Sequence, residues 1–353
     1  MQRYAGFSVP SDKSNDYVLG RTLRKTLYGK VKLALHRSTN TVVAIKLSRA
    51  DHANRQNLLE SPETESSILR LLSKGKGGKG HRHVLRLFDE FRSSGYQWIV
   101  LEYAARGELF SFIEHGPIPD DVAKHLLQQI AEGVEYIHQH GVAHLDLSLE
   151  NVLLNGKDNV KICDFGVARA VTPAMEKLLG PAESKVDANG KQIRPGKDAY
   201  MAPEVFNNAI PADARTCDIW SMGVCMFIML TGGMPWDQPS CRDPRYKYLL
   251  KKGMNVMITE WEKEGDINKI SKEAIDLLNN MLCPADRRFN IEQVLAHPWF
   301  AKEGAVACDA DAVPVDAVLA DAVPVACIIT GAAMEADAVP VDDVPVAAVD
   351  ILM

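Results

Sequence analysis

The segment His144-Leu145-Asp146-Leu147-Ser148-Leu149-Glu150-Asn151 is followed, thirteen residues after Asn151, by Asp164-Phe165-Gly166. Asp146, Asn151 and Asp164 bring two carboxylates and an amide into one loop-rich stretch. Such hard oxygen donors suit Mg²⁺, which binds through one or two carboxylates and takes further ligands from substrate phosphates. An ion held there neutralises charge on a transferring phosphoryl group. Upstream, Val43-Ala44-Ile45-Lys46 sets one lysine in an apolar strand. A lysine in that setting needs a carboxylate or phosphate partner, and Glu65 on the following helical stretch is the candidate.

The elements that must hold these groups read as strands first and helices later. Tyr17–Leu23, Lys30–His36 and Thr41–Leu47 are β-type runs, Glu63–Leu72 is helical, and His83–Phe91 and Gln97–Glu102 return to strand character. After Gly107 the apolar spacing turns helical over Asp120–His140, Asp218–Leu230 and Lys272–Leu282. The pattern predicts an α+β chain of two lobes with a cleft between them.

Composition narrows the rest. The chain has 353 residues, is 46% hydrophobic and 24% charged, and carries a net charge of −6, which does not suggest a nucleic-acid binder. Seven cysteines without a CxxC pair read as reduced thiols, and the cytoplasm or nucleus is the expected location. No apolar signal segment opens the chain, and the longest apolar run, Met222 to Leu230, is too short to span a bilayer, so no membrane association is expected. Beyond residue 300 the composition changes abruptly. Residues 301–353 carry −9 against +3 for residues 1–300, and they repeat DAVPV from Asp311, Asp321 and Asp337. Frequent proline and the lack of aromatic residues make this an expected disordered tail. Gly75-Lys76-Gly77-Gly78-Lys79-Gly80 matches GxGxxG, but it follows a helix and precedes a strand, the reverse of a phosphate-binding context, and reads as a solvated basic loop.

Taken together, the motifs resemble the eukaryotic protein kinases, serine/threonine type, most like the calcium/calmodulin-dependent group. They occur in order: VAIK at 43–46, Glu65, VLEYAARGELF at 100–110, the HxDLxxEN loop at 144–151, DFG at 164–166, APE at 202–204, DIWSMG at 218–223, an arginine at 287 or 288, and HPWF at 297–300. The resemblance implies a kinase domain over 17–300, with an N-lobe at 17–101, a hinge at 102–106 and a C-lobe at 107–300, flanked by an extension at 1–16 and the tail at 301–353. It implies ATP and Mg²⁺ as cofactors. Lys46 would hold the ATP phosphates and pair with Glu65. Asp164 and Asn151 would bind Mg²⁺, and Asp146 would accept the substrate hydroxyl proton. Leu101 would be the gatekeeper, and Glu102 with Ala104 would offer backbone hydrogen bonds to adenine. Val31, Ala44 and Leu153 would sandwich the base, while Leu69, Leu87, His144 and Phe165 would stack between the lobes.

The chain departs from the pattern at several points. Of the three glycines in the phosphate-facing loop only Gly29 remains, with Arg24 and Thr26 at the other two positions. Side chains there hold the loop off the phosphates, so weakened ATP binding is expected, or else Arg24 offers its guanidinium to phosphate. Leu145 replaces the arginine that receives an activation-segment phosphate, which predicts activity independent of such phosphorylation. The hydroxyls between Gly166 and Ala202 are Thr172, Ser184 and Tyr200. Ser148 stands where the family carries a lysine that contacts the γ-phosphate, and Lys197 stands where it carries a threonine. Either Lys197 reaches back to supply the missing ammonium, or it is an unrelated charge on a solvated loop. Cys163 is either alkylatable or a buried inert thiol.

The function expected from this resemblance is phosphoryl transfer from ATP to protein Ser/Thr hydroxyls. The alternative is a binding or scaffold module with little turnover. Glu108 and Glu150 match acidic positions that suit protein substrates with basic residues upstream of the acceptor. No basic amphipathic helix follows the domain, so no calmodulin binding is expected.

Overall fold

The structure is a computed structural model that describes residues 12–26, 29–49, 61–75, 78, 80–114, 116–179, 194–209, 211, 213–264, 267 and 269–301. The acidic tail, most of the Gly/Lys-rich stretch after residue 75, and Ser184 lie outside the described residues.

After one 3-10 turn at Lys13–Asp16, the chain forms β1 (Tyr17–Thr26), β2 (Gly29–His36) and β3 (Thr41–Arg49). Helix α1 (Pro62–Lys74) follows, then β4 (Leu87–Ser93) and β5 (Tyr96–Glu102). The five strands make one antiparallel sheet in the order β1-β2-β3-β5-β4. Ser94 and Gly95, both at positive φ, turn β4 into β5, a backbone twist that suits a two-residue hairpin connection. Strand alternation sorts β3 between two cores. Val43, Ile45 and Leu47 pack with Tyr17, Trp98 and Val100 on one face, whereas Ala44 and Lys46 turn to the other, toward the cleft.

Helix α1 starts because Ser61 accepts the Thr64 amide, Pro62 sits in the first turn, and Glu63 and Glu65 favour the positive end of the helix dipole. Its buried face carries Glu65, Ile68, Leu69 and Leu72. The strand expected from residue 83 begins only at Leu87. Val84 instead bridges Ile162 and Leu85 donates to the Ile162 carbonyl, so this stretch joins the lower lobe before the strand starts.

The lower lobe continues with β6 (Gly107–Glu108), α2 (Phe110–Ile113), α3 (Asp120–Gln139), β7 (Val142–Ala143), β8 (Val152–Leu154), β9 (Val160–Ile162), β10 (Arg169–Ala170), α4 (Pro173–Leu179), α5 (Pro203–Phe206), α6 (Arg215–Thr231), α7 (Pro244–Lys252), α8 (Met254–Glu264), α9 (Lys272–Met281) and α10 (Ile291–Leu295). Every residue of α6 from Cys217 to Thr231 is buried, which is why its sequence reads as an apolar run rather than an amphipathic stripe. Short pairings β6-β8-β9 and β7-β10 carry the loops that face the upper lobe. One continuous core runs from Ala44, Leu69 and Leu101 above the cleft to α3, α6 and α9 below it. The expected α+β two-lobed architecture is therefore present. No described helix is long and apolar enough to cross a membrane.

Candidate active site

A cleft of about 650 Å³ separates the lobes. Of the sequence-predicted residues, Arg24, Thr26, Val31, Ala44, Lys46, Glu65, Leu101, Glu102, Ala104, Glu108, Asn151, Leu153 and Asp164 line it. Leu23 and Leu85 line it too and were missed. Their signal is weak, since an apolar residue in a strand is more often core than wall. Gly29, Asp146 and Lys197 are not among the walls. A Cβ at Gly29 would sit 1.9 Å from the Leu47 carbonyl oxygen, so the absence of a side chain there serves the β2–β3 pairing.

At the inner end, Lys46 Nζ lies 2.7 Å from Glu65 Oε2 and 3.3 Å from Asp164 Oδ1. Both members of the first pair are nearly inaccessible. A buried charge survives only when paired, and this pair ties α1 to β3. Burial alone would raise the Asp164 carboxyl. The Lys46 ammonium, His144 and the Gly166 amide outweigh it, and the group is held below the ordinary aspartate value.

Asn151 donates from Nδ2 to the Asp146 carbonyl at 2.8 Å and to Asp146 Oδ2 at 2.7 Å. Both amide hydrogens are thereby used, which leaves the amide oxygen as the group Asn151 can present to a cation. With an ionised Asp164 this is a hard-oxygen donor pair, and it fits Mg²⁺ arriving with a nucleotide's phosphates. Asp146 Oδ1 is buried without a hydrogen-bond partner. Burial raises the Asp146 carboxyl above its ordinary value, and the Lys197 charge works against that rise.

The loop that carries Asp146 is fixed from beneath by a residue whose role the sequence did not assign. Asp218 at the start of α6 accepts the His144 and Leu145 amides, each at 2.8 Å, and contacts His138 Nε2 at 2.8 Å. A carboxylate ahead of a long, mainly apolar run was the available signal, because such a group requires donors. Leu145 in this loop (φ 63°) and Asp164 after β9 (φ 66°) are non-glycine residues at left-handed φ, a conformation that persists only where the surroundings over-determine it. His144 packs on Phe165 with ring centroids 4.9 Å apart and contacts the Cys163 carbonyl at 3.0 Å. Leu69 and Phe165 are fully buried beside them. The Cys163 thiol is pushed up by burial and by Asp164, which makes it a poor nucleophile.

The departures find specific places. Arg24 Nη1 lies 3.0 Å from Glu108 Oε1 across the mouth of the cleft, so its guanidinium is directed to a carboxylate rather than left for phosphate. Leu145 is buried within the core. Thr172 Oγ1 accepts the Met175 amide at the start of α4, and Tyr200 is buried. Lys197 Nζ lies 2.6 Å from Ser148 Oγ and 3.7 Å from Glu150 Oε1. Of the two arginines, Arg288 is the one that pairs with Glu204, at 2.7 Å, with its side chain fully buried. Glu102, at the end of β5, accepts Lys161 Nζ at 2.8 Å, a pair that spacing could not foretell.

Comparison with known proteins agrees with this geometry. Residues 17–300 match the protein kinase domain family. The chain is 34% identical over 293 residues to the serine/threonine-protein kinase grp of Drosophila melanogaster, covering 81% of this chain and 52% of that protein. It is 33% identical over 303 residues to the probable serine/threonine-protein kinase KCC4 of Saccharomyces cerevisiae, covering 83% and 26%. The SNF1-related protein kinase catalytic subunit alpha KIN12 of Arabidopsis thaliana is 33% identical, covering 81% and 51%. The chain thus spans between a quarter and about half of the length of these relatives. A family match across both lobes, on a fold that brings Lys46, Glu65, Asn151 and Asp164 to one cleft, means that this chain belongs to the protein kinase domain family.

Proposed function

We propose that this chain transfers the γ-phosphate of ATP to serine or threonine hydroxyls of proteins. The observation that carries the reading is the cleft in which Lys46, Glu65 and Asp164 form one charge network, with Asn151 on its wall orienting the adjoining Asp146. Lys46 holds the phosphate chain, and Val31, Ala44, Leu101 and Leu153 wall the base site. Asn151 and Asp164 hold Mg²⁺, which supplies charge neutralisation on the phosphates. Asp146, with Oδ1 left as an acceptor, orients the acceptor hydroxyl and takes its proton. Positioning and electrostatics then account for most of the rate, since phosphoryl transfer needs little covalent assistance.

The acceptor preference is set by acids that already have partners. A basic residue upstream of the acceptor would address Glu108 and Glu150. It must displace Arg24 from the first and compete with Lys197 at the second, so the preference for arginine-containing peptides is expected to be small. Calmodulin is not part of this reading, and calcium-dependent capture of the chain on calmodulin would overturn that exclusion.

The test is Mg²⁺-ATP phosphotransfer to peptide acceptors, with Asp164→Asn as control. Transfer that disappears in the control supports the reading. Nucleotide-induced thermal stabilisation without any transfer overturns it in favour of a binding module.

A further inference from the structure

The backbone of Gly196 lies directly against the catalytic loop. Its φ is +85°, and a Cβ there would stand 2.7 Å from the Leu145 carbonyl and 3.3 Å from Asp146 Oδ1. Only glycine permits that approach, and it carries the next side chain, Lys197, over the loop. The Lys197 ammonium donates to Ser148 Oγ at 2.6 Å and faces Glu150 Oε1 at 3.7 Å. This is a held position and not that of a charge on a solvated loop.

The charge balance around the reacting atoms gives this placement a purpose. Lys46 is committed to Glu65 and Asp164 at the inner end of the cleft. At the outer end, Asp146 and Glu150 are both acidic, and a terminal phosphate presented to a hydroxyl on Asp146 adds further negative charge there. In a site partly withdrawn from water, such charge requires a preorganised cation. The ammonium held on that side is Lys197.

We propose that Lys197 contacts the terminal phosphate of bound ATP and stabilises it during transfer, with Ser148 and Glu150 as its positioning residues; this rests on the kinase reading above. The side-chain types at 148 and 197 are thus exchanged relative to the family pattern while the charge stays in the same place. The exchange has a consequence. The phosphate cation is then carried by the segment between Asp164 and Glu204 rather than by the loop 144–151.

The test combines binding and turnover in the full-length chain. Isothermal titration with Mg²⁺ and either ADP or the non-hydrolysable β,γ-imido analogue of ATP reads the terminal phosphate alone. Lys197→Met is expected to weaken the ATP analogue about 10-fold and ADP less than about 2-fold, in proportion to a charge-assisted contact. In turnover, Lys197→Thr is expected to lower kcat by about 10²-fold, the usual scale for losing one preorganised donor. Ser148→Lys combined with Lys197→Thr is expected to recover at least about 10-fold of that loss, because it returns the ammonium from the other side. Equal effects on both nucleotides, an unchanged kcat in Lys197→Thr, or a double variant no faster than Lys197→Thr with its melting temperature retained would overturn the proposal. A wild-type chain that transfers nothing sinks the kinase reading instead, and the ATP-against-ADP comparison still decides the role of Lys197.

Discussion

The loop 144–151 and the β1–β2 hairpin face the same cleft from opposite sides, and they are held by different physics. The loop is anchored inside the core, where Asp218 satisfies two of its amides and Asn151 orients Asp146. The hairpin is mostly exposed or half-buried, its register shifts twice between Leu19 and Arg24, and among the described residues the ion pair Arg24–Glu108 links it to the lower lobe. Buried polar contacts are costly to break, whereas exposed ones contribute little. The loop proposed to take the proton is therefore fixed in position, and its own two departures from the family pattern, Leu145 and Ser148, leave these anchors in place. The hairpin proposed to cover the phosphates carries two more, Arg24 and Thr26 in place of family glycines.

The sharpest way to break that contrast is Asp218→Ala. It strands two backbone amides and His138 in the core, and a loss of about 3–5 kcal/mol in unfolding free energy is expected by chemical denaturation. A loss below about 1 kcal/mol would mean that the loop is not held from beneath.

The lower lobe should also respond to acid through His83, whose pKa burial lowers to about 4. Its Nδ1 contacts the Val160 carbonyl at 3.2 Å, and its buried Nε2 lies 3.5 Å from Glu132 Oε2, whose charge works against the lowering. A depressed folded value means that the unfolded chain binds the proton first. The His83 contribution to stability is present above about pH 6.5 and is lost as pH falls toward about 4, amounting to about 3 kcal/mol. His83→Gln should flatten that slope in pH-dependent melting, and an unchanged slope would assign it to other groups.

In the hairpin, Gly29→Ala sets a Cβ against the Leu47 carbonyl, and a destabilisation of about 1–3 kcal/mol is expected from the forced shift of β2 on β3. The smallest effect is expected from Arg24→Gly. It removes an exposed pair and should change stability by less than about 1 kcal/mol. It also frees Glu108 and the phosphate-facing backbone, so KM for ATP should fall and the preference for arginine upstream of the acceptor should rise. A higher KM in Arg24→Gly would show that Arg24 serves the nucleotide directly.

Much of the site is legible in the chain because its chemistry is local or ordered. Asp146, Asn151 and Asp164 fall in one short stretch, and an apolar strand with one lysine announces that a carboxylate must meet it. Ser61, Pro62 and the two early glutamates mark the start of α1 wherever the helix packs. Apolar spacing likewise separates the strand-rich lobe from the helical one, since periodicity reports which face is buried.

The partners of the remaining charges were decided only by the tertiary structure. Glu108 and Glu150 read as free acids for a basic substrate, yet Arg24, 84 residues from Glu108, and Lys197 occupy them. Arg287 and Arg288 are equivalent as neighbours in sequence, but only the latter points inward to Glu204. Gly29 looks like a phosphate-loop glycine, and the pairing of β2 with β3 gives its missing side chain another reason. The physical cause is common to these cases. A sequence pattern records which groups need burial or a partner, but a partner dozens of residues away is chosen by packing. That choice settles which charges stay available to a ligand.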